Sequence, residues 1–152
     1  MKNSHLLFVF SVLALVLGAA LEELCPKLAD VGFPILLVTV QFMAARRPTF
    51  AAVVFAVAAG AMEDAISSLP VMTSVSYFLA VAVLVKRAEF PRGAIVLTYP
   101  AYQVWLWLWT SSPGFNVFRR ILVALPVGAF AAFATVAVLV WAERRAAIDE
   151  AG

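Results

Sequence analysis

Gly60-Ala61-Met62-Glu63-Asp64-Ala65-Ile66-Ser67-Ser68-Leu69-Pro70 sets two adjacent carboxylates between two apolar runs. Thr49 to Met62 lies upstream and Val71 to Val85 downstream, and neither run carries a charge. Pro70 follows the acids closely, so the chain is expected to turn there and re-enter an apolar medium. Such a pair is either the polar cap of a short loop or a partly buried site. The choice depends on the rest of the chain.

The 152 residues are 64% hydrophobic and 13% charged, with a mean hydropathy of +0.99. Soluble domains hold roughly 45–50% apolar and about 25% charged residues. The composition therefore predicts an integral membrane protein. Its apolar runs are continuous rather than alternating, which favours helices over a barrel. At about 20 residues per span, the length allows roughly six short transmembrane helices in a single all-α membrane domain. The net charge of +2 gives no sign of a nucleic-acid partner. A lone cysteine, Cys25, and a lone histidine, His5, leave no basis for an internal disulfide, a zinc site or a Ser-His-Asp triad. No cofactor is expected.

The expected helices cover residues 4–21, 31–45, 49–62, 71–85, 93–109 and 121–141. The first has a rival reading as a cleaved signal peptide, with Gly18-Ala19-Ala20 as the small-residue site. Pro34 lies in the first turn of the second, and Arg46-Arg47-Pro48 makes a basic turn after it. Ala52, Ala56 and Gly60 recur every four residues in the third helix, and Ala124, Gly128 and Ala132 do so in the sixth. Such small-residue stripes let another helix approach closely. Lys86 to Arg92 form a basic loop, and Pro100 is expected to kink the fifth helix. Trp105, Trp107 and Trp109 are spaced by two and fit an interfacial aromatic belt. Ser111 to Asn116 read as a loop, followed by a short surface-lying piece around Phe115 to Phe118.

With six spans both termini share a side. A cytoplasmic N-terminus places Lys2, Arg46, Arg47, Lys86, Arg87, Arg92, Arg144 and Arg145 inside, and only Lys27, Arg119 and Arg120 outside. The positive-inside rule selects this arrangement. Arg119 and Arg120 are then either snorkelling at the outer headgroups or meeting an acidic partner or the Glu63-Asp64 loop.

From Gly32 to Arg92 the chain resembles the rod shape-determining protein MreD family. Gly60-Ala61-Met62-Glu63-Asp64-Ala65-Ile66-Ser67 looks like that family's Gly-x-x-x-Asp-x-[Ile/Leu]-Ser core, so Gly60, Asp64 and Ser67 match it and Glu63 stands at a variable position. The start near Phe33-Pro34, the Arg46-Arg47 turn and the end at Lys86-Arg87 fit as well. The family usually continues with glycine after the serine and again four residues later. Here those positions hold Ser68 and Met72, leaving Pro70 to supply the turn. The resemblance implies a non-enzymatic component of the bacterial cell-elongation machinery in the cytoplasmic (inner) membrane. Its implied partners are an MreC-like periplasmic scaffold, an actin-like filament and a peptidoglycan polymerase–transpeptidase pair. The implied fold is similar to the substrate-binding subunits of energy-coupling-factor transporters. In this reading Asp64 accepts hydrogen bonds from nearby N–H groups or from Ser67.

Two alternatives remain. One is the substrate-binding membrane subunit of a vitamin-type transporter, with Thr73, Ser76, Tyr77, Tyr99 and Gln103 lining a ligand site. The other is a small membrane enzyme using Glu63 and Asp64 as metal ligands or as acid and base. Against the enzyme, neighbouring side chains on a helix diverge by about 100°.

Overall fold

The computed structural model describes residues 2–28, 30–87, 95–110 and 115–151, with only the backbone of 2–7 and 146–151. Among these residues are six helices and no strand. They are α1 (Lys2–Leu24), α2 (Ile35–Arg46), α3 (Thr49–Ile66), α4 (Thr73–Arg87), α5 (Ile95–Thr110) and α6 (Val117–Ala151). The basic loop from Ala88 to Arg92, the start of the fifth helix at Gly93 and the Pro113-Gly114 turn lie outside the described residues.

α2 is the hub. It has 12 residues, and every one from Leu36 to Ala44 is buried. A helix that is apolar on all sides belongs in an interior, and α2 packs against each of the other five helices. Thr39 and Gln41 both bond inside the bundle, although Gln41 Oε1 is left without a partner. Thr39 Oγ1 donates to the Ile35 carbonyl at 2.7 Å, and Gln41 Nε2 donates to Thr98 Oγ1 on α5 at 2.5 Å.

α3 and α4 form the closest pair. Ala52 and Ala56 are buried on α3, and Gly60 lies directly against α4. A Cβ at Gly60 would sit 2.5 Å from Val75 Cα, well inside van der Waals contact. On α6, Ala124 and Ala132 are buried, and Gly128 meets the Tyr99 ring of α5 at 3.2 Å from where its Cβ would be. Both small-residue stripes thus face neighbouring helices.

Several boundaries differ from the sequence expectation. α3 continues four residues past Met62, which puts Glu63 and Asp64 inside the helix and buries both. Neither acid caps a loop: each lies in the helix and accepts a hydrogen bond through one carboxylate oxygen, as described below. α4 starts at Thr73 rather than Val71, since Met72 is in the left-handed region with φ 76°. α6 begins at Val117, so Val117 to Arg120 make its first turn instead of a separate surface piece. Asn116 Oδ1 accepts from the Arg119 N–H at 3.1 Å, a local N-cap that fixes this start. Pro100 and Pro126 both lie inside helices.

Charge is segregated between the two ends of the bundle. At one end Arg46 pairs with Glu143 at 2.5 Å, and Lys86 Nζ donates to the Arg47 carbonyl. At the other end Glu22, Glu63 and Asp64 gather around the α1–α2 and α3–α4 turns. The lateral surface between them is apolar: Phe8, Leu17, Phe50, Leu97 and Phe133 are all more than half exposed. Thr49–Ile66 and Val117–Arg145 are long and apolar enough to cross a membrane.

Candidate functional site

The site is built on two helix starts that lack caps of their own. α2 is preceded by Pro34, which offers no side-chain acceptor. Its Leu36 N–H is instead taken by Glu22 Oε2, reaching from the last turn of α1 at 2.9 Å. α4 is preceded by Met72, and its Ser74 N–H donates to Asp64 Oδ1 from the last turn of α3 at 2.7 Å. In each case a carboxylate satisfies a first-turn N–H and meets the positive end of a helix dipole. Asp64 therefore accepts from Ser74 and not from Ser67. The Ser67 hydroxyl donates to Glu63 Oε1 at 2.9 Å, four residues back on its own helix.

The turn between α3 and α4 has a specific shape. Leu69 N–H donates to the Asp64 carbonyl at 2.9 Å, closing a Schellman motif with Ser68 at φ 51° in the left-handed position. Met72 repeats the left-handed conformation at φ 76°. Both positions favour glycine. Pro70 lies between them, and its carbonyl accepts from Thr73 N–H at 3.2 Å. Ser74 Oγ shares a 2.5 Å hydrogen bond with the Tyr102 hydroxyl, and Trp105 Nε1 donates to the Thr73 carbonyl at 2.9 Å. The turn is thus tied to α5.

Beside this turn lies a cavity of about 510 Å³. Glu22, Glu63, Tyr99, Tyr102 and Gln103 form its wall, and Lys27 and Arg120 stand at its rim with Glu23 and Asp30. The Glu22 and Glu63 carboxyl groups lie close to one another at this wall. Tyr99 donates to the Gly32 carbonyl at 2.5 Å, which fixes its ring against the α1–α2 turn.

Of the residues singled out from sequence, Gly60, Glu63, Asp64, Ser67 and Pro70 come together at the α3–α4 turn. Arg119 and Arg120 make no ion pair with Glu63 or Asp64 among the described residues. Arg120 lies over the Phe115 ring at 4.1 Å and borders the cavity. Of the five candidate ligand-lining residues, Tyr99 and Gln103 reach the cavity. The others do not: Thr73 is buried in the helix pair, Ser76 Oγ donates to the Met72 and Thr73 carbonyls, and Tyr77 donates to the Thr98 carbonyl. Although α1 runs on to Leu24, Glu22 falls one residue beyond the expected end of the first helix. Its spacing of four from Gly18 already placed it on the face of α1 that meets α2.

Comparison with protein-family models, with curated proteins and with solved structures finds no match. Among the described residues no group of three His, Cys, Asp or Glu side chains is arranged to hold a metal ion.

Proposed function

We propose that this chain is a non-enzymatic, multi-pass component of the bacterial cell-elongation machinery, similar to MreD proteins and seated in the cytoplasmic membrane. The observation that carries the reading is the backbone of the α3–α4 turn. Ser68 and Met72 hold left-handed φ values at the two positions where the family has glycine. Left-handed backbone at those two positions supports the resemblance even though the residues there differ. Gly60 and Asp64, which match the family core, serve this turn through close packing and through the Ser74 N–H. Apolar side chains around the lateral surface support a lipid setting. The gathering of Arg46, Arg47, Lys86 and Arg145 toward one end supports a cytoplasmic placement of that end and of both termini.

In this reading the six helices form a bundle like the energy-coupling-factor substrate-binding subunits. The rigid α3–α4 turn and the outer rim with Arg119 and Arg120 meet an MreC-like periplasmic scaffold. Through it the chain acts with an actin-like filament and the peptidoglycan polymerase–transpeptidase pair. The test is copurification: a C-terminal tag, gentle solubilisation of native membranes, and identification of bound proteins by mass spectrometry. A single-span partner with a periplasmic coiled coil, together with wall-synthesis enzymes, is expected.

The cavity favours a second reading, a substrate-binding subunit of a vitamin-type transporter. Its size lies within the roughly 300–1,000 Å³ of small-molecule sites. Recovery of a membrane coupling subunit with two ATPases in the same experiment would select it and dismiss the cell-shape role.

A further inference from the structure

Two residues that line the cavity each carry a buried acceptor without a donor. Glu63 is 7% exposed and its Oε2 has no hydrogen-bond partner; Gln103 is 2% exposed and its Oε1 has none either. Both residues line the cavity. Glu22 faces Glu63, and among the described residues no basic side chain pairs with either carboxylate. The rim carries Lys27 and Arg120 against Glu23 and Asp30, so the charged residues at the cavity sum to net negative. Tyr99 and Tyr102 add two aromatic faces, 6.3 Å apart and inclined by 27°. Buried acceptors without donors are costly, and a buried carboxylate pair without a cation more so. An ammonium group would supply three donors and one positive charge, and it would gain from the tyrosine faces.

We propose that this cavity binds a small organic cation through a primary ammonium group, held by Glu63, Glu22 and Gln103 Oε1 beside Tyr99 and Tyr102. A neutral polyol would supply donors to these acceptors but no positive charge opposite the carboxylate pair. The ammonium could come from a free amine or from an aminophospholipid headgroup entering from the bilayer. The binding is independent of which protein partner the bundle serves, so it stands or falls apart from the copurification result.

The test uses the full-length protein in nanodiscs of phosphatidylglycerol alone and in nanodiscs with added phosphatidylethanolamine. Ethanolamine is titrated into the first by calorimetry, and lipids retained by both are compared by native mass spectrometry. Saturable ethanolamine binding, or selective retention of phosphatidylethanolamine over phosphatidylglycerol, is expected; the first identifies a free amine and the second a lipid headgroup. Glu63→Gln should weaken the interaction by about ten-fold or more. Gln103→Leu provides a second variant that adds no charge, with a loss of several-fold expected. Melting temperatures without ligand separate a binding defect from a folding defect. Absence of both kinds of binding in the wild-type protein would overturn the proposal. So would undiminished binding in folded Glu63→Gln.

Discussion

Asp64 spends one carboxylate oxygen on the Ser74 N–H and leaves the other buried without a donor. Its removal should be felt at the start of α4. Asp64→Ala leaves a buried N–H unpaired and should lower stability by about 1–3 kcal/mol, whereas Asp64→Asn keeps an acceptor and should cost less. Denaturant unfolding in detergent micelles measures both, and equal losses would show that charge rather than the hydrogen bond matters. Ser68 and Met72 give the opposite expectation. A left-handed conformation costs a residue with a side chain roughly 1–2 kcal/mol, so Ser68→Gly and Met72→Gly should each raise the unfolding midpoint. That Asp64 is a candidate was legible from its place in the Gly60–Ser67 motif. Its partner was not, because Ser74 comes near only through a turn whose glycine signals are missing from the sequence.

The α3–α4 pair depends on Gly60. With a Cβ only 2.5 Å from Val75 Cα, Gly60→Ala must push the helices apart. Overpacking of this kind costs about 1–3 kcal/mol, and a drop in melting temperature with retained helical circular dichroism is the expected signature. The same substitution at Gly32, which has open space around it, should have little effect of this packing kind. Helix number and order could be read from the apolar runs, and so could the stripes of small residues. Helix ends could not. Charges at Glu63-Asp64 and hydroxyls at Ser67-Ser68 read as a loop, yet a helix carries buried acids when neighbouring N–H and O–H groups reach them. Asn116 is the contrast: a local cap ahead of Val117, it offered a readable start that the basic pair Arg119-Arg120 obscured.

For the whole molecule, the proposed placement of the acidic end outside makes a direct prediction. Cys25, the free cysteine just after α1, lies at that end. A membrane-impermeant maleimide should label it in cells with a permeabilised outer membrane and an intact inner membrane. In a Cys25→Ser background, Arg144→Cys should react only once the inner membrane is opened. Reversed labelling would invert the orientation. The central position of α2 was the least legible feature, since its apolar run looks much like the others in the sequence. Only contacts with five other helices explain why 12 residues suffice. The bond between Arg46 and Glu143 spans 97 residues of chain. At ribosomal speeds of about 5–20 residues per second, those residues emerge roughly 5–20 seconds apart. During that interval the flank of α2 that will meet α6 has no sequence-local partner. The basic end of the bundle is therefore the last part to close as the chain is made.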